Sequence, residues 1–514
     1  MDKTALFVNV VPWRPHGEHA AYIAELMSDN GWDVRAVVCG GGLASCYQKQ
    51  INGRLFECSG CKLESLNKFG VFKKVDAITF SKDEEYSSEC ENWPVLASVG
   101  TAYRVELDSD LDNPELRTVI DITAKEYSAQ VKAWREYINE LKPNLVVIFN
   151  ARFHDAAAVA KACSDLDVKY ITHERTWFGL GLQINNNEDC VSLSGVDNVV
   201  RKRASQPLSH EEIRRAFQLV ASRLYGTNTG EWRNYGQSYD AASSFEWPSY
   251  KAGKKVLVVP SSRSEFIGHP DYRIDFDTTI DCLDYFVKRF NLDAESIIIR
   301  SHPAWDVPIG RHEKSQSYDA YKRWAEKNGA LFIEPKSSVS TYALMEIADF
   351  AIFNGGSAVV EAALLGCPSV LLSPSPYQNA GFVEDCSSRE KIDSFDFDFE
   401  NNEVLFALAL RYVYARAYDQ PIFTTSVKGL SSKEYVYSRK GDEYEDILNL
   451  IDVTSNHSDF SIAPVSSLER QFYQQYISGG LIDSSESGDK LGGKVAVSEK
   501  GYLRRILDYL ALGF

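Results

Sequence analysis

The stretch FNGGSAVVEAALLGCPSVLL, residues Phe353–Leu372, decides how the second half of the chain is read. It has the pattern of a buried strand's end, a glycine turn, a helix and another strand, the repeating unit of a parallel sheet. Gly355, Gly356 and Ser357 fall where strand hands over to helix, and Glu361 follows one turn later on the face of Ser357. Two readings compete for this turn. Glycines serve tight packing; they also let a backbone approach an anion closely at a helix N-terminus, whose unpaired N–H groups attract phosphate. On the second reading Ser357 adds a hydroxyl donor and the Glu361 carboxylate accepts from two ribose hydroxyls.

Outward from this stretch the same unit recurs. VLVVPSS, SIIIRSHP, LFIEP, FAIFNGG and PSVLLS are short apolar runs with helical sequence between them, so residues 254–400 are predicted to form a Rossmann-like domain. Upstream, ALFVNVV, the amphipathic segment GEHAAYIAELMSDN and the strand WDVRAVVC make a β-α-β unit. YSAQVKAWREYINELKPNLVVIFNARFHDAAAVAKACSDLDVKYITHE repeats the alternation, which predicts a first Rossmann-like domain over residues 1–245. FEWPSYKAGKK reads as the linker, with a hinge near 245–255. The expected fold is therefore α/β, two Rossmann-like domains facing a central cleft, with ligands at the carboxyl ends of the strands. Helices over 401–475 are expected to pack back on the first domain, a Gly/Ser/Asp-rich linker covers 478–495, and an amphipathic tail helix covers 496–514. That tail places Leu503, Ile506, Leu507 and Leu510 on one face beside Arg504 and Arg505, a pattern suited to a membrane surface or to docking on the protein itself.

Length and charge narrow the function. At 514 residues the chain exceeds one ordinary domain. Its formal net charge of −17 argues against a nucleic-acid binder, which needs a basic footprint, but leaves room for a small anionic ligand held by local cations. MDKTALFVNVVPW has no positively charged leader, and no run reaches 18 apolar residues, so a cytoplasmic protein is expected. Cys39, Cys46, Cys58 and Cys61 cluster in CGGGLASCYQKQINGRLFECSGC, which fits either a structural zinc site or packing thiols.

Three further strand-end loops carry polar chemistry. Arg300 and His302 in IIIRSHP offer a permanent cation and an acid near neutral pH to a leaving phosphate; the plainer reading is a surface His-Pro turn. Ser261 and Ser262 follow the domain's first strand, with Glu265 behind them, and Ser340 and Thr341 open a helix just before the glycine strand. Helix capping explains either pair. Four such loops aimed at one crevice are less easily explained by capping alone.

In the order SSRSEF, RSHP, PKSSVSTYALMEIADFAIFNGGSAVVEAALLGCPSVLL, residues 254–375 resemble the nucleotide-sugar half of GT-B fold glycosyltransferases. More closely they are similar to bacterial capsule and surface-polysaccharide biosynthesis proteins, relatives of Kdo transferases. The resemblance implies transfer of a sugar from a CMP- or UDP-linked donor to a glycan or glycolipid acceptor in capsule or O-antigen-type synthesis. It implies that His302, Pro303 and Ser357 hold the donor phosphate and that Glu361 binds the ribose. Two glycines precede Ser357 where many relatives have one, so the phosphate meets either the Ser357 hydroxyl or the extra backbone N–H.

The resemblance also implies a metal-independent reaction without a cofactor. The DSD at 108–110 fits the letters of a metal motif but lies in an acidic loop. A base is expected from the first domain. The candidates are Glu18 and His19 in PHGEHAAY, Asp155 in NARFHDAAA and, first among them, Glu174, which YITHE brings to a strand end between His173 and Arg175. Two other outcomes share the fold: a nucleotide-sugar 2-epimerase, and a non-catalytic sugar-binding subunit of a polysaccharide assembly complex.

Overall fold

A computed structural model describes residues 3–52, 57–66, 72, 74–80, 93–105, 111, 113–224, 245–248, 253–306, 316–452 and 460–478. The DSD at 108–110, most of the linker at 478–495 and the tail at 496–514 lie outside them.

Among the described residues, two six-stranded sheets organise the fold. The first contains β1 (Thr4–Asn9), β2 (Asp33–Cys39), β3 (Lys74–Ile78), β4 (Leu145–Phe149), β5 (Tyr170–Arg175) and β6 (Leu182–Asn186) in the order β3-β2-β1-β4-β5-β6. All its pairs are parallel except β5 with β6. The second contains β7 (Val256–Val259), β8 (Ile297–Arg300), β9 (Leu331–Ile333), β10 (Phe350–Phe353), β11 (Ser369–Leu371) and β12 (Glu384–Asp385), wholly parallel, in the order β12-β11-β10-β7-β8-β9. Read from each domain's own first strand, both orders are 3-2-1-4-5-6. That is the doubly wound order, with its switch points at β1/β4 and β7/β10. The apolar runs are explained by position: LVVIF of β4 and FAIF of β10 are buried throughout, as strands with helices on both faces must be. The chain is thus an α/β protein with two Rossmann-ordered domains, the GT-B type of architecture.

Around the first sheet lie α1 (His16–Asp29), α2 (Tyr47–Asn52), α3 (Glu57–Ser65), α4 (Trp93–Tyr103), α5 (Pro114–Leu141) and α6 (His154–Asp165). Next come α7 (Leu193–Ala204) and α8 (His210–Leu224), which precede the second sheet in sequence but pack on its side of the molecule. Their apolar faces, Val196, Val200, Ile213, Ala216 and Val220, share one core with α12 (Ala358–Leu364) and α14 (Asn402–Tyr414). The remaining helices are α9 (Thr279–Arg289), α10 (Gln316–Asn328), α11 (Thr341–Ile347), α13 (Arg389–Ser394), α15 (Glu443–Asp452) and α16 (Ser467–Ile477). Arg411 of α14 locks this assembly. It pairs with Glu469 of α16 at 2.8 Å and donates to the carbonyls of Ala204 and Ala463, also at 2.8 Å.

After α14 the chain crosses back to the first domain. Phe423, Val427, Tyr437 of the hairpin β13 (Val427–Gly429)–β14 (Tyr435–Tyr437) and Ile447 of α15 join the core of the first sheet. Single bridges tie Leu180 to Lys428 and Leu182 to Ile422. The carboxyl ends of the two sheets touch. Arg152, after β4, forms an ion pair with Glu265, after β7; Arg104 donates to the Ala304 carbonyl at 2.6 Å; the Leu193 amide donates to Asp271 at 2.8 Å.

Candidate functional site

At the second sheet's switch point the loops after β7, β10 and β11 close on one another. Asn354 is the clasp. Its Oδ1 accepts from the Ser261 amide at 2.6 Å, and its Nδ2 donates to the Ser261 carbonyl at 3.3 Å. Ser373 donates to the Asn354 carbonyl at 2.8 Å. The glycines follow from this crowding. Gly355 has φ +107°, a left-handed conformation that a side chain disfavours, and a Cβ on Gly356 would come within 3.1 Å of Ser261. Packing therefore accounts for both glycines, and it delivers Ser261 and Ser357 to the same place.

Ser357 is the N-cap of α12 but makes no capping bond with its side chain. Its Oγ accepts instead from Nη2 of Arg223 at 2.9 Å, and Nη1 of the same arginine lies 2.9 Å from Oε1 of Glu361. Glu361 is fully buried, Arg223 is 11% exposed, and the guanidinium sits 4.7 Å from the ring centre of Trp177. A buried carboxylate requires such a partner. Arg223 comes from the last turn of α8, more than 130 positions away, and sequence reasoning passed over it. Its only signal was an arginine at the end of an amphipathic helix.

The other predicted donor-side residues take separate places. Arg300 is buried and donates to the carbonyls of Glu334 at 2.7 Å and Ser337 at 3.4 Å; burial lowers its pKa to about 10. His302 is half-buried, with Nδ1 accepting from the Ala304 amide at 3.1 Å. Ser262 lies 3.4 Å from the Ser264 hydroxyl. Ser340 caps α11, accepting from the Ala343 amide at 3.4 Å.

In the first domain the four candidate bases each have their own surroundings. Glu174, at the end of β5, accepts from Asn150 at 3.1 Å and from the Arg175 amide at 2.9 Å, and lies 3.6 Å from Nδ1 of His16. His16 was not singled out from the sequence, because PHGEHAAY presents three polar residues within one helical turn and only the fold shows which meets β5. Glu18 is on the same helix, 3.4 Å from Arg14. His19 is buried, with Nδ1 2.8 Å from the Tyr437 hydroxyl of the returning hairpin. Asp155 is saturated: the Tyr47 amide, Gln130 and His154 approach it at 3.2, 3.1 and 3.2 Å. Burial pushes its pKa up, but the charge and hydrogen bond of His154, with the Tyr47 and Gln130 bonds, hold it below the ordinary value.

Asp155 lines a cavity of about 30 Å³, roughly the room of one water, together with Cys39, Cys46, Cys58 and Cys61. The cysteine cluster is thus real in space, and its remaining walls include Val10, Leu43 and Phe80. Among the described residues no group of three His, Cys, Asp or Glu side chains is placed to hold a metal ion. No described helix is long and apolar enough to cross a membrane.

No family model and no curated protein matches the chain. Among solved structures it is similar to the β-Kdo 2,7 transferase KpsC of Thermosulfurimonas dismutans, at 12% identity and a TM-score of 0.35, covering 62% of this chain and 89% of that one. It is similar to MurG of Acinetobacter baumannii, at 12% identity and a TM-score of 0.25, covering 88% and 99%. A UDP-GlcNAc 2-epimerase from Neisseria meningitidis bound to UDP-GlcNAc is similar at 13% identity and a TM-score of 0.26, covering 81% and 97%.

Proposed function

We propose that the chain is a glycosyltransferase that takes a sugar from a CMP- or UDP-linked donor and delivers it to a glycan or glycolipid acceptor of surface-polysaccharide synthesis. The observation that carries this reading is the convergence of Ser261, the Gly355-Gly356 turn, Ser357 and Glu361 at the second sheet's switch point, opposite the strand ends that carry Glu174. Open α/β sheets bind ligands at that position. In this reading the glycine turn and Ser357 meet the donor phosphate, His302 approaches it from the next loop, and Glu361 binds the ribose. Because Glu361 is buried under Arg223, donor binding has to move that arginine or share the carboxylate with it.

We further propose that transfer needs no metal, the leaving phosphate being stabilised by hydroxyl, imidazole and backbone donors. The test is thermal stability of the full chain with a panel of nucleotides, followed by release of nucleotide from matching sugar donors with and without EDTA. Stabilisation by CMP or UDP and EDTA-resistant turnover are expected. A chain indifferent to every nucleotide overturns the transferase reading, and activity abolished by EDTA and restored by Mg²⁺ overturns the metal-free one.

A further inference from the structure

Where the carboxyl ends of the two sheets meet, one arginine joins them. Arg152 follows β4 at the first sheet's switch point, and its Nη1 donates to Oε2 of Glu265 on the loop after β7. The same loop carries Ser261, which the glycine turn approaches. The backbone that delivers Arg152 is strained. Asn150 and Ala151 have φ of +34° and +54°; asparagine tolerates the left-handed region, whereas the alanine Cβ disfavours it. Four hydrogen bonds of Asn150 hold the turn. Its side chain accepts from the Arg152 amide at 3.1 Å and donates to Glu174 at 3.1 Å; its backbone accepts from the Cys190 amide at 2.9 Å and donates to the His173 carbonyl at 3.1 Å. Strain that its surroundings over-determine in this way clusters at functional turns. The guanidinium is held ready as well. It lies 4.5 Å from the ring centre of Phe153, and its Nε is buried with no hydrogen-bond partner among the described residues.

We infer that Arg152 is the cation that binds the donor's phosphate, and that Glu265 holds the phosphate's place while the site is empty. This inference rests on the transferase reading above. The ion pair is lopsided: the Arg152 side chain is 13% exposed and that of Glu265 is 45% exposed. A half-exposed carboxylate returns to water at little cost, because exposed ion pairs contribute little. The guanidinium cannot follow it, and a buried cation requires a counter-charge wherever Glu265 goes. A phosphate supplies that charge and matches the fork of the guanidinium. The second domain's own arginines are engaged elsewhere. Arg300, expected from the sequence to meet the phosphate, donates to the carbonyls of Glu334 and Ser337, and Arg223 is paired with the buried Glu361. The full positive charge therefore comes from the opposite domain. The charge of Glu174 acts on the same guanidinium, so each domain presents one carboxylate to Arg152. Phosphate in place of Glu265 exchanges one anion for another and leaves that balance standing.

The test is calorimetric binding to the full chain of CMP and UDP against cytidine and uridine, the ratio of the two affinities being the phosphate's share. Arg152→Gln is expected to lower that ratio roughly tenfold or more, the value of a hydrogen bond to a charged group. Glu265→Gln is expected to raise it by up to about fivefold, the value of a half-exposed ion pair. In the double substitution Arg152→Gln/Glu265→Gln the gain should vanish, because no guanidinium is left to release. A ratio unchanged in both single variants overturns the inference. A gain from Glu265→Gln that persists without Arg152 also overturns it, being the field of the lost charge alone. If Arg152→Gln fails to fold, Glu265→Gln decides: a raised ratio supports the inference and an unchanged one overturns it. Methyl glucuronide against methyl glucoside forms a second arm. An Arg152-dependent preference for the glucuronide, with the nucleotide ratio unmoved, makes the anion a sugar carboxylate and overturns the phosphate assignment. Release of nucleotide from CMP- and UDP-sugars separates this inference from the reading beneath it. Ratios that move as expected with no release from any donor overturn transfer and leave Arg152 as a phosphate residue; release with ratios indifferent to Arg152 does the reverse. A chain that binds no nucleotide overturns both.

Discussion

Arg223→Ala is the substitution whose cost follows most directly from the geometry. Removing the guanidinium leaves Glu361 as a carboxylate with no surface of its own, since Glu361 is 0% exposed and its 2.9 Å partner is gone. Breaking a buried pair from one side costs about 3–5 kcal/mol, because the remaining charge keeps its desolvation penalty and loses that ion pair. Little solvent screening reduces this figure, Arg223 being only 11% exposed. At roughly 2–4 °C per kcal/mol for a cooperative unit of about 150–250 residues, the melting temperature should fall by roughly 6–20 °C. The double substitution Arg223→Ala/Glu361→Gln removes the charge with its partner and should recover most of that loss. The measurement is a double-mutant cycle by thermal or urea unfolding, with a large favourable coupling between the two sites. If Arg223→Ala melts within a degree or so of the unsubstituted chain, Glu361 is not a buried anion held by Arg223. The candidate site then lacks the ion pair placed at its centre.

Three other outcomes are expected. His302→Ala and Ser357→Ala should each lower turnover roughly a hundredfold or more while leaving the melting temperature nearly unchanged; unchanged kinetics in both would remove the phosphate assignment. Acid should destabilise the first domain: burial, helped by neighbouring cationic groups, holds His16 and His19 well below 6.5, and burial takes His173 to about 4. The unfolded chain then binds protons that the folded one refuses. Stability is full above about pH 6.5 and falls as pH drops to about 4, by about 3 kcal/mol for His173 alone; urea midpoints that stay flat between pH 7 and 5 would refute this. Finally, desolvation pushes the half-buried Cys39 thiol up to about 11 and Cys61 up to about 12, so iodoacetamide at pH 8 should label both slowly in the native chain and faster after unfolding. Labelling of either in the native protein at the rate of an ordinary exposed thiol would contradict the raised pKa.

The sheets were legible because parallel strands covered on both faces must be short apolar runs. VLVV, IIIR, FAIF and SVL became β7, β8, β10 and β11 with little displacement. The strand order within each sheet was not written in those runs, since any parallel order buries them equally. Helices α7 and α8 show the limit of reading along the chain. Their amphipathic faces predict helices, but Val200 and Val220 name no partner, and the fold packs them against α14 some 200 residues later. The returning hairpin was equally hidden. Tyr435 and Tyr437 sit in a polar, lysine-containing stretch whose apolar period is too short to announce that it covers His19.

At the candidate site the same asymmetry separates what local chemistry shows from what only packing decides. Gly355, Gly356, Ser357 and Glu361 were conspicuous because a positive φ, a close approach and a carboxylate one turn later all leave marks within seven residues. Arg223 and His16 leave none. An arginine in a last turn and a histidine in a first turn are ordinary helix-end residues. They differ from their neighbours only in what the fold brings within reach, a buried carboxylate for one and Glu174 for the other. Both contacts join segments more than 130 positions apart. A charged group's role in a crevice between two domains is set by its counter-charge, and for Glu361 and Glu174 that group lies on a different element. The sequence could therefore nominate Glu361 and Glu174 as carboxylates at strand and helix ends, while the partners that orient them had to come from the three-dimensional arrangement.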